Sequence, residues 1–160
     1  MTIEIIQADY SHPQHRAHIV QLLNEYAQDP MGGGTPLDDK VKETLVDGLA
    51  EFGKAFTVLA YQDGKPVGLT NCIIGFSSFA AKQLVNIHDI YVAAEQRGLG
   101  LSHQMLAFVE DTARKLDCCK VTLEVLSNNQ AAKTSYEKFG FAAYQLDPDA
   151  GPAQFWQKYL

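Results

Sequence analysis

Gln96-Arg97-Gly98-Leu99-Gly100-Leu101-Ser102 decides how this chain is read. Upstream, Gln83 to Val92 has the apolar content of a strand. Downstream, Leu101, Met105, Phe108, Val109, Thr112, Ala113 and Leu116 recur at helical spacing, so the stretch joins a strand to the start of a strong helix. Gly98 and Gly100 let the backbone approach a ligand closely and take up unusual φ/ψ. The first amides of a helix have no partner within it, and the positive end of the helix dipole lies behind them. A loop of this kind is an anion site suited to phosphate, and Arg97 adds a charge-assisted donor. Two other phosphate-binding patterns are excluded. A Walker loop requires Gly-Lys-Ser/Thr, which is absent. A dinucleotide fold requires a third glycine, and His103 stands in its place.

Working outward, Thr2 to Ala8 alternates like a short strand, and His12 to Gln28 has helical spacing through Ile19, Leu22, Leu23 and Tyr26. Asp29-Pro30-Met31-Gly32-Gly33-Gly34-Thr35-Pro36 is built to bend, as a connector or as the rim of a substrate site. Asp38 or Asp39 caps a second helix with Val41, Leu45, Leu49 and Phe52 on one face, and Gly53 ends it. Ala55–Tyr61, Pro66–Phe76 and Gln83–Val92 read as an antiparallel meander whose first turn holds the favoured Asp63-Gly64 pair. Beyond the strong helix, Lys120 to Val125 is a strand, and Asn129 to Phe139 is a helix capped by Gly140. Phe141–Leu146 and Phe155–Tyr159 read as two final strands. The element order is β-α-α-β-β-β-α-β-α-β-β, an α/β (α+β) mixture with a partly antiparallel sheet.

Composition bounds the function. A chain of 160 residues is expected to form one domain, 1–160, on the usual scale of roughly 100–200 residues per domain. With 13 Lys+Arg against 19 Asp+Glu, the net charge of −6 argues against nucleic acid as the partner, though not against one local anion site made of backbone amides. No apolar run approaches the roughly 18 residues of a membrane span, so no membrane partner is expected. The 3 cysteines include the adjacent Cys118 and Cys119, poor geometry for a disulfide and more suited to core filling. Met1 to Ile5 lacks the pattern of a signal peptide, and the chain reads as cytoplasmic. His12, His15 and His18 are evenly spaced but have no cysteine nearby, and no metal site is expected.

Arg97-Gly98-Leu99-Gly100-Leu101-Ser102 resembles motif A of the GNAT N-acetyltransferase superfamily, Gln/Arg-x-x-Gly-x-Gly/Ala, with Ser102 as a small-residue departure. Asn129 to Phe141 is similar to motif B of that family, matching at Asn129, Ala132, Tyr136 and Gly140-Phe141. The two motifs lie in the right order around Val121 to Val125, and the resemblance runs from about residue 55 to about residue 145. It implies a GNAT-like fold, a mixed central sheet of about seven strands with helices on both faces.

It also implies a chemistry. Acetyl-CoA would lie between Ile87–Val92 and Val121–Val125, its pyrophosphate on the loop formed by Gln96, Arg97, Gly98, Leu99, Gly100, Leu101 and Ser102. Its pantetheine arm would pair like an added strand with the backbone of Ile90, Tyr91 and Val92. Asn129 and Ala132 would line the cofactor. Tyr136 would protonate the departing thiolate, since a phenol with a pKa of about 10 suits a thiol. Each has a plainer reading as well: Tyr136 as core, Asn129 as a helix cap, Arg97 as a solvated charge. For the base, Glu124 and Asp89 rank equal, with His88 acting through a water. Regular alternation sets His88 and Ile90 on one face and Asp89 and Tyr91 on the other, so only one of His88 and Asp89 faces the cleft.

The expected activity is therefore transfer of an acetyl group from acetyl-CoA to a primary amine of a small molecule or peptide. The alternative is a non-catalytic acyl-CoA-binding sensor, which needs the loop but neither Tyr136 nor a base. Asp38, Asp39 and Glu124 would make the acceptor rim acidic and favour a cationic, polyamine-like acceptor. Phe155 or Trp156, if exposed, would offer a homodimer surface.

Overall fold

Three antiparallel pairings, two of them hairpins, and one parallel pairing build the sheet. The structure, a computed structural model, describes residues 1–160. Strands β1 (Ile3–Gln7), β2 (Ala55–Gln62), β3 (Lys65–Ser77), β4 (Lys82–Val92) and β5 (Val121–Leu123) lie side by side in chain order. The first three pairings are antiparallel, and β4 pairs with β5 in parallel. The β2–β3 turn is tight because Asp63 and Gly64 both take positive φ, +48° and +81°, as a two-residue hairpin turn requires.

Helices α1 (Pro13–Gln28), α2 (Asp39–Phe52) and α3 (Leu101–Lys115) flank this sheet, and α4 (Gln130–Phe139) follows it in the chain. Their ends follow the sequence: Pro13 opens α1, while Gly53 and Gly140 close α2 and α4 in the left-handed conformation. The strands bury alternate residues on opposite faces. Leu59, Tyr61 and Leu69 pack with Ile19, Leu22 and Val46 beneath α1 and α2. Ala60, Val67 and Ala93 pack with Leu101 and Met105 beneath α3. On α2 the buried residue is Val46, at 3% exposure, while Val41 and Phe52 are exposed. Its inward stripe is therefore turned from the one expected.

The chain divides into two compact units, Met1–Leu123 and Glu124–Leu160. The sheet has 5 strands rather than about seven. Phe141–Leu146 and Phe155–Tyr159 carry no strand ladder. The Ala153 amide, ahead of the second segment, donates to the Tyr144 carbonyl of the first, one bond where a ladder needs a run. Alternation prepares a strand, but paired backbone makes one. The strand expected over Lys120–Val125 is also shorter, Val121–Leu123, which leaves Glu124 exposed just past its end. Cys118 is half-buried and Cys119 exposed, because both precede the strand rather than fill the core.

Candidate active site

The glycine loop forms as its sequence requires. Gly98 and Gly100 take φ of +79° and +81°, and a Cβ built at either would meet nothing within 4 Å, so the backbone is open to a ligand. Gly100 is the N-cap of α3, and its carbonyl receives the first helical bond, from the Gln104 amide. The Leu101 and Ser102 amides precede that bond and have no partner within the helix. Leu101 is buried and anchors the helix start, whereas Leu99 is exposed. The Gln96 side chain donates to Gln62 Oε1 and ties the loop to the end of β2.

Arg97 does more than stand in solvent. Its Nε donates to the Val92 carbonyl at 3.0 Å, and its Nη2 donates to Asp29 Oδ2 at 2.7 Å. The guanidinium lies over the Tyr91 ring, 5.8 Å from its centroid. Asp29 in turn caps the single 3₁₀ turn Pro30–Gly32, its Oδ1 accepting the Met31 amide. That amide first, and the Arg97 guanidinium second, hold the Asp29 carboxyl below the usual aspartate range. The cradle loop is thus tied to the start of the glycine-rich segment Gly32–Gly34.

On the α1/α2 face of the sheet lies a cavity of about 350 Å³. Leu23, Tyr26 and Ala27 of α1, Leu45 and Leu49 of α2, and Gly32 and Leu37 of the connector form its walls, with Asn71, Ile73, His88 and Asp89 on the sheet side. His88 and Asp89 line it together, which regular alternation forbids. The reason is a bulge: Asn71 pairs with Asp89 and Cys72 with Ile87, so His88 has no opposite residue. From there the facing shifts by one. Asp89 and Tyr91 follow His88 onto the cavity face, while Ile90 and Val92 continue the face of Val85 and Ile87. The either-or expected for His88 and Asp89 is therefore corrected.

A line of side-chain hydrogen bonds ends on Asp89. The Thr57 hydroxyl donates to Asn71 Oδ1 at 2.7 Å, and Asn71 Nδ2 donates to Asp89 Oδ2 at 3.0 Å. With the Thr57 proton so used, the 2.9 Å contact to Tyr10 has the tyrosine hydroxyl as donor. Thr57 and Asn71 are buried, and each finds its partner in this line, as buried polar groups require. The carboxylate is thereby held at Oδ2, and Asp89 lines the cavity. Burial first, and then the charges of Asp89 and Asp29, push the Tyr26 phenol above its ordinary value and keep it neutral. Burial and Asp89 likewise raise the Cys72 thiol, which makes it inert.

The second unit carries the other motif. Asn129 caps α4, its Oδ1 accepting the Ala132 amide at 3.2 Å. At the far end, the Phe141 amide donates to the Tyr136 carbonyl and the Gly140 amide to that of Glu137, the paired bonds of a Schellman closure. The Tyr136 and Phe141 rings meet edge to face at 6.0 Å, the apolar contact of that closure. The ring of Tyr136 thus has a structural task in closing the helix.

The sequence matches the acetyltransferase (GNAT) family over residues 14–141. The chain belongs to the GNAT family. Among curated proteins it is 24% identical over 125 residues to the uncharacterized N-acetyltransferase YhfO of Bacillus subtilis (strain 168), covering 78% of this chain and 82% of that one. Two solved structures share the fold. One is the ribosomal-protein-alanine N-acetyltransferase of Brucella melitensis biovar Abortus 2308, with TM-score 0.75, 17% identity, and coverage of 99% and 100% of the two chains. The other is AAC(6')-Iy in complex with a bisubstrate analog, CoA-S-monomethyl-acetylneamine, with TM-score 0.78, 16% identity, and both chains covered in full. Family membership makes this chain an acyltransferase of the N-acetyltransferase class, and no helix of it is long and apolar enough to cross a membrane.

Within this GNAT chain the first unit holds Asp89, the Ile90–Val92 strand end and the Gln96–Ser102 loop. Glu124, Asn129, Ala132 and Tyr136 belong to the second unit. Sequence reasoning missed Tyr26, Thr57 and Asn71. Asn71 carried a signal, as the lone amide in the apolar strand run Leu69–Ile74. Tyr26 carried none, being one more apolar position on α1.

Proposed function

We propose that this chain transfers the acetyl group of acetyl-CoA directly to a primary amine. One observation carries the reading. The β4–β5 pairing ends at Ile87↔Leu123, while β4 continues to Val92. His88 to Val92 therefore has an edge without a β5 partner, leads into the amide cradle at its end, and turns Asp89 into the cavity. Acetyl-CoA supplies an activated acetyl thioester. The amides of Gly98 to Ser102 hold its pyrophosphate, with the open glycine backbone as the fit. The backbone of Ile90, Tyr91 and Val92 receives its pantetheine arm as an added strand. Asn129, whose Oδ1 is spent on its helix, keeps its Nδ2 donors for the cofactor.

Asp89 serves as the base rather than Glu124, because it is oriented by Asn71 and faces a cavity, whereas Glu124 is exposed beyond β5. The amine nitrogen forms a C–N bond to the acetyl carbon as the C–S bond breaks. One ammonium proton leaves through Asp89 to solvent. Tyr136 gives a proton to the thiolate, and the second proton lost from nitrogen returns through solvent to restore the phenol, so one proton is released in all. The same proposal includes a cytoplasmic location and a homodimer through Phe155 and Trp156, which are 77% and 83% exposed.

Acetyl-CoA mixed with a panel of primary amines tests the reading, with free thiol as the readout. Amine-dependent thiol release is expected. Stabilisation by CoA with no thiol release from any amine supports the acyl-CoA sensor instead. Tyr136→Phe keeps the ring and its Schellman contact, so turnover is expected to fall with CoA binding unchanged. Unaltered turnover removes its acid role.

A further inference from the structure

The cavity under α1 and α2 has a composition that points to one kind of acceptor. Its walls are hydrocarbon: Leu23, Leu45, Leu49 and Ile73 surround most of it. Its polar groups converge at the sheet, where Asp89, Asn71 and His88 stand beside the Tyr26 phenol. Asp89 is the one carboxylate among the lining residues, and its Oδ2 is already taken by Asn71. The lining therefore offers one negative charge, for one ammonium. The volume of about 350 Å³ lies at the small end of the roughly 300–1,000 Å³ found for small-molecule sites.

We infer that the acceptor is a primary monoamine carried on a compact apolar body, an alkyl or aralkyl amine, rather than a polycation. The ammonium meets Asp89, and the hydrocarbon lies against the α1 and α2 leucines. The leucine walls offer a second ammonium on the same molecule no counter-charge, so contact with them is unfavourable. Asp38, Asp39 and Glu124, the acidic residues expected to draw a polyamine, are exposed, and none is among the residues lining this cavity. The inference rests on the acyl-transfer reading only for its catalytic readout, since the cavity's preference is also measurable by binding.

The test compares 2-phenylethylamine, hexylamine, spermidine and kanamycin as acceptors in the thiol-release assay, and measures binding of the same four by calorimetry. Expected is a kcat/KM for the two monoamines at least about 100-fold above that for the two polycations. A polycation preferred, or all four equal, overturns the inference while leaving acyl transfer intact. No turnover with tight monoamine binding overturns acyl transfer while leaving the inference intact. No turnover and no selective binding overturns both. Leu49→Glu supplies a gain-of-function arm on a half-buried position of α2. A second carboxylate there is expected to raise the ratio of cadaverine to hexylamine turnover by about tenfold or more, and an unchanged ratio counts against this cavity as the acceptor site.

Discussion

The two faces of the sheet are made by the same strands and do opposite work. Under α3, Ala60, Gly68 and Ala93 let the helix settle against the backbone, and a Cβ placed on Gly68 would come within 2.8 Å of Met105 Sδ. That face is closely packed, with Met105, Leu106 and Val109 buried. Under α1 and α2, the matching positions hold Leu59 and Leu69 in the upper part, then Thr57, Asn71 and Asp89, and the packing gives way to a cavity. One face supports, and the other is the one that the proposed chemistry uses. Residues adjacent in sequence, such as Leu59 and Ala60, belong to different tasks because successive strand side chains point apart.

The contrast can be broken from either side. The largest expected effect is on the working face. Asp89→Asn should lower kcat/KM by about 10²–10⁴-fold while the unfolding midpoint barely moves, because the amide oxygen still accepts from Asn71. Retained activity would remove Asp89 from the chemistry. On the supporting face, Met105→Ala should cost about 2–5 kcal/mol in urea unfolding with the amine preference unchanged. A changed preference would mean that the faces are not separate.

A smaller effect belongs to the line that joins strands behind the carboxylate. Thr57→Val removes the donor to Asn71 and the acceptor for Tyr10, and should cost about 1–3 kcal/mol together with some loss of kcat. A neutral result would mean that Asp89 is oriented without it. The smallest effect is at Asp29. Its depressed carboxyl contributes stability that is present above the aspartate value of 3.8 and is lost as pH falls through its lower folded value. The stability gap between wild type and Asp29→Asn should therefore narrow on acidification below that value. A gap that stays constant in acid titration would mean that the Met31 and Arg97 contacts do not hold the carboxylate in solution.

What could be read in the sequence was whatever short-range chemistry dictates. The helix stops at Gly53 and Gly140, the Asp63-Gly64 hairpin and the glycine cradle before α3 all depend on residues a few positions apart. What escaped depends on neighbours that the pattern does not name. The bulge at His88 arises from how β3 pairs with β4, and His88-Asp89-Ile90 looks the same with or without it. The Arg97–Asp29 pair spans 68 positions, and no local period links them. The two C-terminal strands were inferred from apolar alternation alone, which cannot supply the backbone partner a strand needs. Glu124 and Asp89 looked equivalent because both follow apolar strand residues. The network through Thr57 and Asn71, which ends on Asp89, is the ground for proposing Asp89 as the base.

The bulge has a consequence for how this protein tolerates change. Because His88 is the residue without an opposite number, cutting it out would join Ile87 to Asp89 in ordinary alternation and leave both flanks on the faces they already occupy. Val85 and Ile87 would still point away from the cavity, and Asp89 and Tyr91 would still point toward it. Position 88 is thus a seam in the chain, a place where the length of β4 can change by one without re-sorting its inside from its outside. Nearly anywhere else along β4 the same deletion would send one flank's side chains to the wrong side of the sheet.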